Sequence, residues 1–310
     1  MTNFQSTNTV MNKVNAFHSA IRISSVVKGS PIGIGSGFTA HTFREAAFDQ
    51  HMDPLALVDH YVMTEPTFGP HPHAGLSAVS VLFEDSEGKF HNRDSLGNDF
   101  DILPGDLYWL KAGSGAVHDE APRAGARIHG LQVFVNLPAQ YKQDAPVSKH
   151  VSAHTMPVIE KEGVRVRVVL GESNQIVGAT SPALPMTILD GYLSGNGIFK
   201  HDINAGENAW LYAIESDITV ETPQGTITLK AGDAVALSNL NHDGVLSIAL
   251  SCAAFTVPSS ITSSKAHFAL FSAKPIKEAF VQKGPFIMSN EQEIKQAERN
   301  YAAGLFGRLD

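Results

Sequence analysis

The chain has 310 residues, of which 43% are hydrophobic and 17% charged, and a formal net charge of -8. Such a balance belongs to a globular protein with apolar material for two cores of ordinary domain size, and it excludes a disordered chain. The net acidity, with lysines and arginines scattered singly, leaves no basic cluster for phosphate contacts and so excludes direct nucleic-acid recognition.

Residues 1–18 are a polar leader. Met1–Ser25 holds no continuous apolar stretch, so neither a signal peptide nor a membrane span is expected and the protein reads as cytoplasmic. Short runs rich in Val, Ile, Leu and Tyr follow, bracketed by Gly, Pro, Asn and Asp. They are Ala78–Phe83, Ile128–Val135, Val164–Leu170, Trp210–Ile214, Asp217–Glu221 and Leu246–Leu250. Each predicts a strand of a sandwich or barrel. Pro104-Gly105-Asp106 precedes the apolar run Leu107–Leu110, and Ala231-Gly232-Asp233 precedes Ala234–Leu237. In such a turn glycine supplies a positive φ and Asp hydrogen-bonds its own backbone. This faint internal repeat predicts two similar barrels in tandem. The boundary falls in the polar stretch 138–163, which divides the chain into barrels over 19–145 and 146–288. The single cysteine, Cys252, lies in the apolar run Ser247–Phe255 and reads as a buried thiol, with no disulfide or cysteine-rich metal site to be formed. Ser289-Asn290-Glu291-Gln292-Glu293 offers a cap and acidic residues for the first turn of a helix. That helix would run to about Ala303 and stop at Gly304, in a tail over 289–310.

Two motifs carry chemistry. His71-Pro72-His73 puts two imidazoles at i and i+2, on one face of a strand. Pro72 cannot donate to a central ladder, so the stretch belongs at a strand start or a sheet edge. His118-Asp119-Glu120 repeats the i, i+2 spacing after the glycine-rich turn Ala112–Gly115. Together they offer three nitrogens and one oxygen. That set suits Fe, Mn, Ni, Cu or Zn and is too rich in nitrogen for Ca or Mg. With 14 histidines in the chain, chance spacing of surface histidines is the competing explanation. The C-terminal half has no matching set: it offers His201, then Asn239, Asn241 and His242 after its Gly-Asp turn, and a structural role is expected there. His60, His129 and His267 are isolated by spacing and read as solvated or hydrogen-bonded. No G-x-S-x-G elbow or Walker A string occurs.

Further strings join these motifs: Met52–His60, His71–Gly75, His91-Asn92-Arg93-Asp94-Ser95-Leu96-Gly97-Asn98, Pro104-Gly105-Asp106, Ala112–Glu120, Gly130–Pro138 and Gly284–Asn290. In this order they resemble the pirin family of the cupin superfamily over roughly residues 20–305. The resemblance implies an all-β fold of two tandem cupin (jelly-roll-like) barrels with a short C-terminal helix. It implies one transition-metal ion per chain, usually iron, held in the N-terminal barrel by His71, His73, His118 and Glu120. Some bacterial pirins resemble quercetin 2,3-dioxygenases, which open a flavonol ring with O2. On that likeness the ion is Fe(II), with Mn, Ni, Cu or Zn as other occupants. The substrate is a small aromatic of the flavonol type, and Glu120 is the catalytic proton acceptor, a metal ligand, or both. Phe68, Leu82, Trp109 and Phe134 are the expected walls of the pocket. Other pirins are described as partners of transcription factors or metabolic enzymes. The alternative is therefore a non-catalytic, metal- or redox-sensing regulator with a protein partner. Two positions depart from the family pattern: Ser77 stands where many members have a glutamate, and Ser114 where an arginine is common.

Overall fold

The computed structural model describes residues 21–241, 243–252 and 265–309. The polar leader 1–18 and His242 lie outside them. Each half of the molecule is a jelly-roll-like pair of sheets rather than a closed hydrogen-bonded cylinder. In the N-terminal half a seven-stranded sheet runs in the order Val147–Val151, Leu107–Lys111, Leu76–Leu82, Ile128–Asn136, Leu55–Met63, Phe38–Arg44, Ser30–Ile34, with every neighbouring pair antiparallel. A four-stranded sheet of His71–His73, Ala116–Pro122, Phe90–Asp94 and Asp99–Ile102 shares its core. The C-terminal half repeats the plan with an eight-stranded and a four-stranded sheet.

Strand alternation decides what each large sheet does. Phe38, Tyr61, Met63, Leu82 and Tyr108 enter the core of the N-terminal half. Residues of the opposite parity, among them Val58, Val79, Trp109 and Val133, pack against Trp210, Tyr212 and Phe271 of the other half. The two halves thus share one buried face.

The internal repeat is present in the turns. Gly105 and Gly232 both have positive φ, 83° and 88°. Asp106 Oδ2 accepts from the Leu103 N–H and Asp233 Oδ2 from the Lys230 N–H, each at 3.0 Å. The predicted strands appear within a few residues of their expected limits, and Val164–Leu170 matches at both ends. The helix spans Glu291–Ala302. Asn290 caps it by accepting from the Glu293 N–H, and Gly304 follows with φ 76°.

Strand pairing does not follow the division at 145/146. Ile21–Ile23 and Val27–Lys28 pair with Asp233–Asn239 of the C-terminal sheet, while Val147–Val151 pairs with Leu107–Lys111 of the N-terminal one. The hairpin Val281–Lys283/Phe286–Met288 returns to the N-terminal half, where Ala74 bridges Phe286. Composition marks a polar connection but does not record which sheet an edge strand joins. Cys252 is half-buried at a strand end, less enclosed than its apolar run suggested. Among the described residues no helix is long and apolar enough to cross a membrane.

Candidate metal centre

The strand His71–His73 has three residues and lies at the edge of the four-stranded sheet, as Pro72 requires. It pairs antiparallel with Ala116–Pro122 so that His118 stands opposite His71. That register brings His71, His73 and His118 together, with their ligand atoms within 4.8 Å of one another. His118 Nε2 lies 3.0 Å from Nε2 of both His71 and His73.

The outer ring atoms fix two of the tautomers. His71 Nδ1 lies 2.9 Å from the Gly69 carbonyl oxygen and His73 Nδ1 3.2 Å from that of Pro285. A carbonyl only accepts, so both Nδ1 atoms donate and both Nε2 atoms keep their lone pairs. His118 Nδ1 is buried without a partner. Burial is the main reason that all three imidazoles titrate low: His71 is lowered, His73 falls to about 3, and His118 lies well below its ordinary value. The neighbouring imidazoles lower His73 and His118 further.

These residues fit a transition-metal ion. Bonds of about 2.1 Å to imidazole nitrogens at right angles span an N···N edge of about 3.0 Å, which is the separation seen at His118. Neutral imidazoles with lone pairs converging at such distances repel one another unless a cation or proton lies between them.

Glu120 is buried in the cavity beside the triad but does not belong to the group of three close ligand atoms. Ser80 Oγ lies 2.8 Å from each of its carboxylate oxygens and 3.0 Å from Gln132 Oε1. Burial pushes the Glu120 carboxyl up to about 7, against the pull of the Ser80 hydrogen bond, and the charge of Asp119 adds to the rise. Asp119 itself points the other way and pairs with Arg93 at 2.7 Å.

The cavity measures about 140 Å³. Phe68 and Phe134 line it, as expected from the sequence. Leu82 and Trp109 do not. Leu82 is packed into the core of the N-terminal half, and Trp109, of the opposite parity to Tyr108 and Leu110, faces the C-terminal half. Sequence reasoning missed Asp59, Tyr61 and Gln132, which also line the cavity, and Ser80, which holds Glu120. Their one signal was polar character at inward parity in strands that are otherwise apolar.

Among the described residues the C-terminal half holds no group of three clustered ligands. His201 is buried there and hydrogen-bonds Ser173 Oγ at 2.9 Å.

The sequence model described as Pirin matches residues 25–135, and that of the Pirin C-terminal cupin domain matches 188–307. Pirin from Mus musculus is 31% identical over 257 residues, covering 80% of this chain and 81% of the mouse protein. The crystal structure of a quercetin 2,3-dioxygenase from Acinetobacter baumannii superposes with a TM-score of 0.78 at 23% identity, covering 94% of this chain and 99% of that one. The bacterial pirin YhhW from Escherichia coli, in complex with nickel(II), has a TM-score of 0.59 at 16% identity, covering 82% and 99%.

Proposed function

Because the chain belongs to the pirin family, we propose that it is a metal-dependent dioxygenase acting on quercetin-like flavonols with O2. His71, His73 and His118 hold one Fe(II), and Glu120 serves the reaction. The observation that carries this reading is the convergence of three imidazole Nε2 atoms at a cavity that also holds a buried carboxyl. The nickel(II) bound to the Escherichia coli pirin supports a transition metal, and the quercetin dioxygenase from Acinetobacter baumannii, which shares the fold, supports the chemistry. When bound, the ion supplies Lewis acidity and a site for redox chemistry.

The chain's own residues do the rest. Gly69 and Pro285 hold the rings of His71 and His73 with Nε2 inward. Phe38, Phe90 and Phe134 present an apolar lining that excludes water from the substrate ring. Glu120, with its carboxyl near 7, takes the phenolic proton and Ser80 steadies it. A largely apolar pocket of small-molecule size, open to solvent beside the triad, favours catalysis over the partner-binding alternative, which needs a closed site and a broad exposed patch instead.

The test is oxygen uptake with quercetin, using protein loaded anaerobically with Fe(II), beside His73→Ala. Uptake in the wild type that vanishes in the variant is expected. No uptake from protein carrying stoichiometric metal would sink the flavonol reading.

A further inference from the structure

Cross-strand register lays a polar row under the candidate metal centre. Thr42 pairs with Asp59, Asp59 with Gln132 and Gln132 with Ser80, straight across four strands. Tyr61, two residues along the strand from Asp59, points to the same face. Ser80 occupies one end of the Gln132 amide, and the other end, Nε2, is buried without a hydrogen-bond partner. The Tyr61 hydroxyl, on a residue only 2% exposed, also has none. Both residues line the cavity, as does Asp59. Asp59 Oδ1 is likewise buried without a partner. Native folds seldom leave such groups unpaired, and three on the floor of one cavity point to a ligand that pairs with them.

The shape of the cavity restricts that ligand. Its walls are the rings of Phe38, Phe90 and Phe134 and the thioether of Met63, which suit a flat aromatic ring. Its volume is about 140 Å³. A cavity of about 150 Å³ takes one benzene ring, whereas sites for drug-sized molecules start at about 300 Å³. Phe68 stands at the mouth, 48% exposed and edge-on to Phe38 at 5.0 Å. A three-ring flavonol would seat one ring and leave the others outside this residue.

We propose that the preferred substrate is a single-ring polyhydroxylated aromatic of the pyrogallol class, with adjacent hydroxyls toward the three histidines and a further hydroxyl met by Tyr61 and Gln132. This rests on the reading of the histidine triad as a metal centre. It keeps the phenolic chemistry proposed above and ranks the single-ring phenol ahead of the flavonol, which remains a more weakly bound substrate.

Titration calorimetry on Zn(II)-loaded protein, which is redox-silent, separates the two claims. Metal content is measured first, then the affinities for pyrogallol, catechol and quercetin, in the wild type and in Tyr61→Phe and Gln132→Leu. The expected result is pyrogallol bound at least tenfold more tightly than quercetin. Each variant should weaken pyrogallol about fivefold while keeping one metal per chain. Quercetin bound as tightly as pyrogallol by the wild type, a comparison that needs no variant, overturns the size argument. Unchanged pyrogallol affinity in both variants overturns the role of the polar floor. A wild type that binds no metal overturns the triad reading and this inference with it.

Discussion

His118 is the hinge of the site, because its Nε2 is the one atom 3.0 Å from both of the others. Replacing His118 by Ala should therefore weaken metal binding by more than the roughly 10–100-fold that loss of an outer hydrogen-bond partner costs. Competition titration against a chelator measures this, and near-wild-type affinity would contradict it. All three histidines were legible in the sequence, since i, i+2 spacing on a strand fixes the face without any knowledge of the neighbours. Glu120 was legible as a residue of the site by the same spacing. Its hold by Ser80 was not, because the two residues meet across 40 positions of chain. Asp59, Tyr61 and Gln132 stayed hidden for the same reason: a single sequence gives the parity of a strand but not its partner or register.

At the scale of elements, the C-terminal hairpin is part of the metal-site half. The Pro285 carbonyl holds His73, and the Ile287 N–H donates to Ala74 O at 3.0 Å. Lys142 clamps this joint. Its buried Nζ donates to Gly75 O, Asn136 Oδ1 and Ile287 O, and burial lowers it to about 8. Lys142→Met leaves three acceptors unpaired, so a loss of about 3 kcal/mol is expected, together with metal affinity reduced about tenfold as Pro285 shifts. Urea unfolding and metal titration on the same variant check both halves of that statement; lost stability with unchanged affinity would mean that the hairpin does not orient His73. Gly75→Ala should act in the same direction. Gly75 has φ +73°, and a Cβ there would stand 2.0 Å from Ile287 O. The strands and the helix were legible from alternation and capping. The return of residues 281–288 to the first half was not, because that contact joins segments more than two hundred residues apart.

At the scale of the molecule, a charged cluster lies buried where the halves meet. Asp190 accepts from Arg167 Nη2 at 2.5 Å and stands 2.6 Å from His267 Nε2, while Arg167 Nη1 donates to Gly105 O of the other half. Nearby, His60 bridges the halves: Nδ1 lies 2.6 Å from the Tyr212 hydroxyl and Nε2 2.7 Å from His129 Nε2. His60, His129 and His267 were expected to be solvated or hydrogen-bonded. They are hydrogen-bonded, and they lie where the halves meet. Removing one partner of a buried ion pair strands the other, so Asp190→Asn should lose about 3–5 kcal/mol near neutral pH, measured as a shift of the urea midpoint; a loss within the error of that midpoint would mean that Arg167 is adequately held by carbonyls alone.

The pH dependence has a definite sign. Burial, with the neighbouring histidines, holds His60 down at about 3, so below about pH 6.5 the unfolded chain binds a proton that the folded chain refuses. Asp190 is held below the ordinary carboxylate range by Arg167 and His267, against the effect of its burial. Its contribution is present above about pH 3.9 and is lost as pH falls through the depressed value. Both groups predict a urea midpoint that declines on acidification, first below about pH 6.5 and more steeply below about pH 4. A midpoint that rises between neutral pH and pH about 5 would contradict this account of the interface.

The most direct measurement of the central claim is X-ray absorption spectroscopy of the protein loaded anaerobically with one equivalent of Fe(II), beside His118→Ala. The expected result is one tightly bound iron per chain with three imidazole nitrogens at about 2.1 Å, and loss of that signature in the variant. Iron that washes away from the wild type, or a spectrum without imidazole scattering, would contradict a metal centre built on His71, His73 and His118.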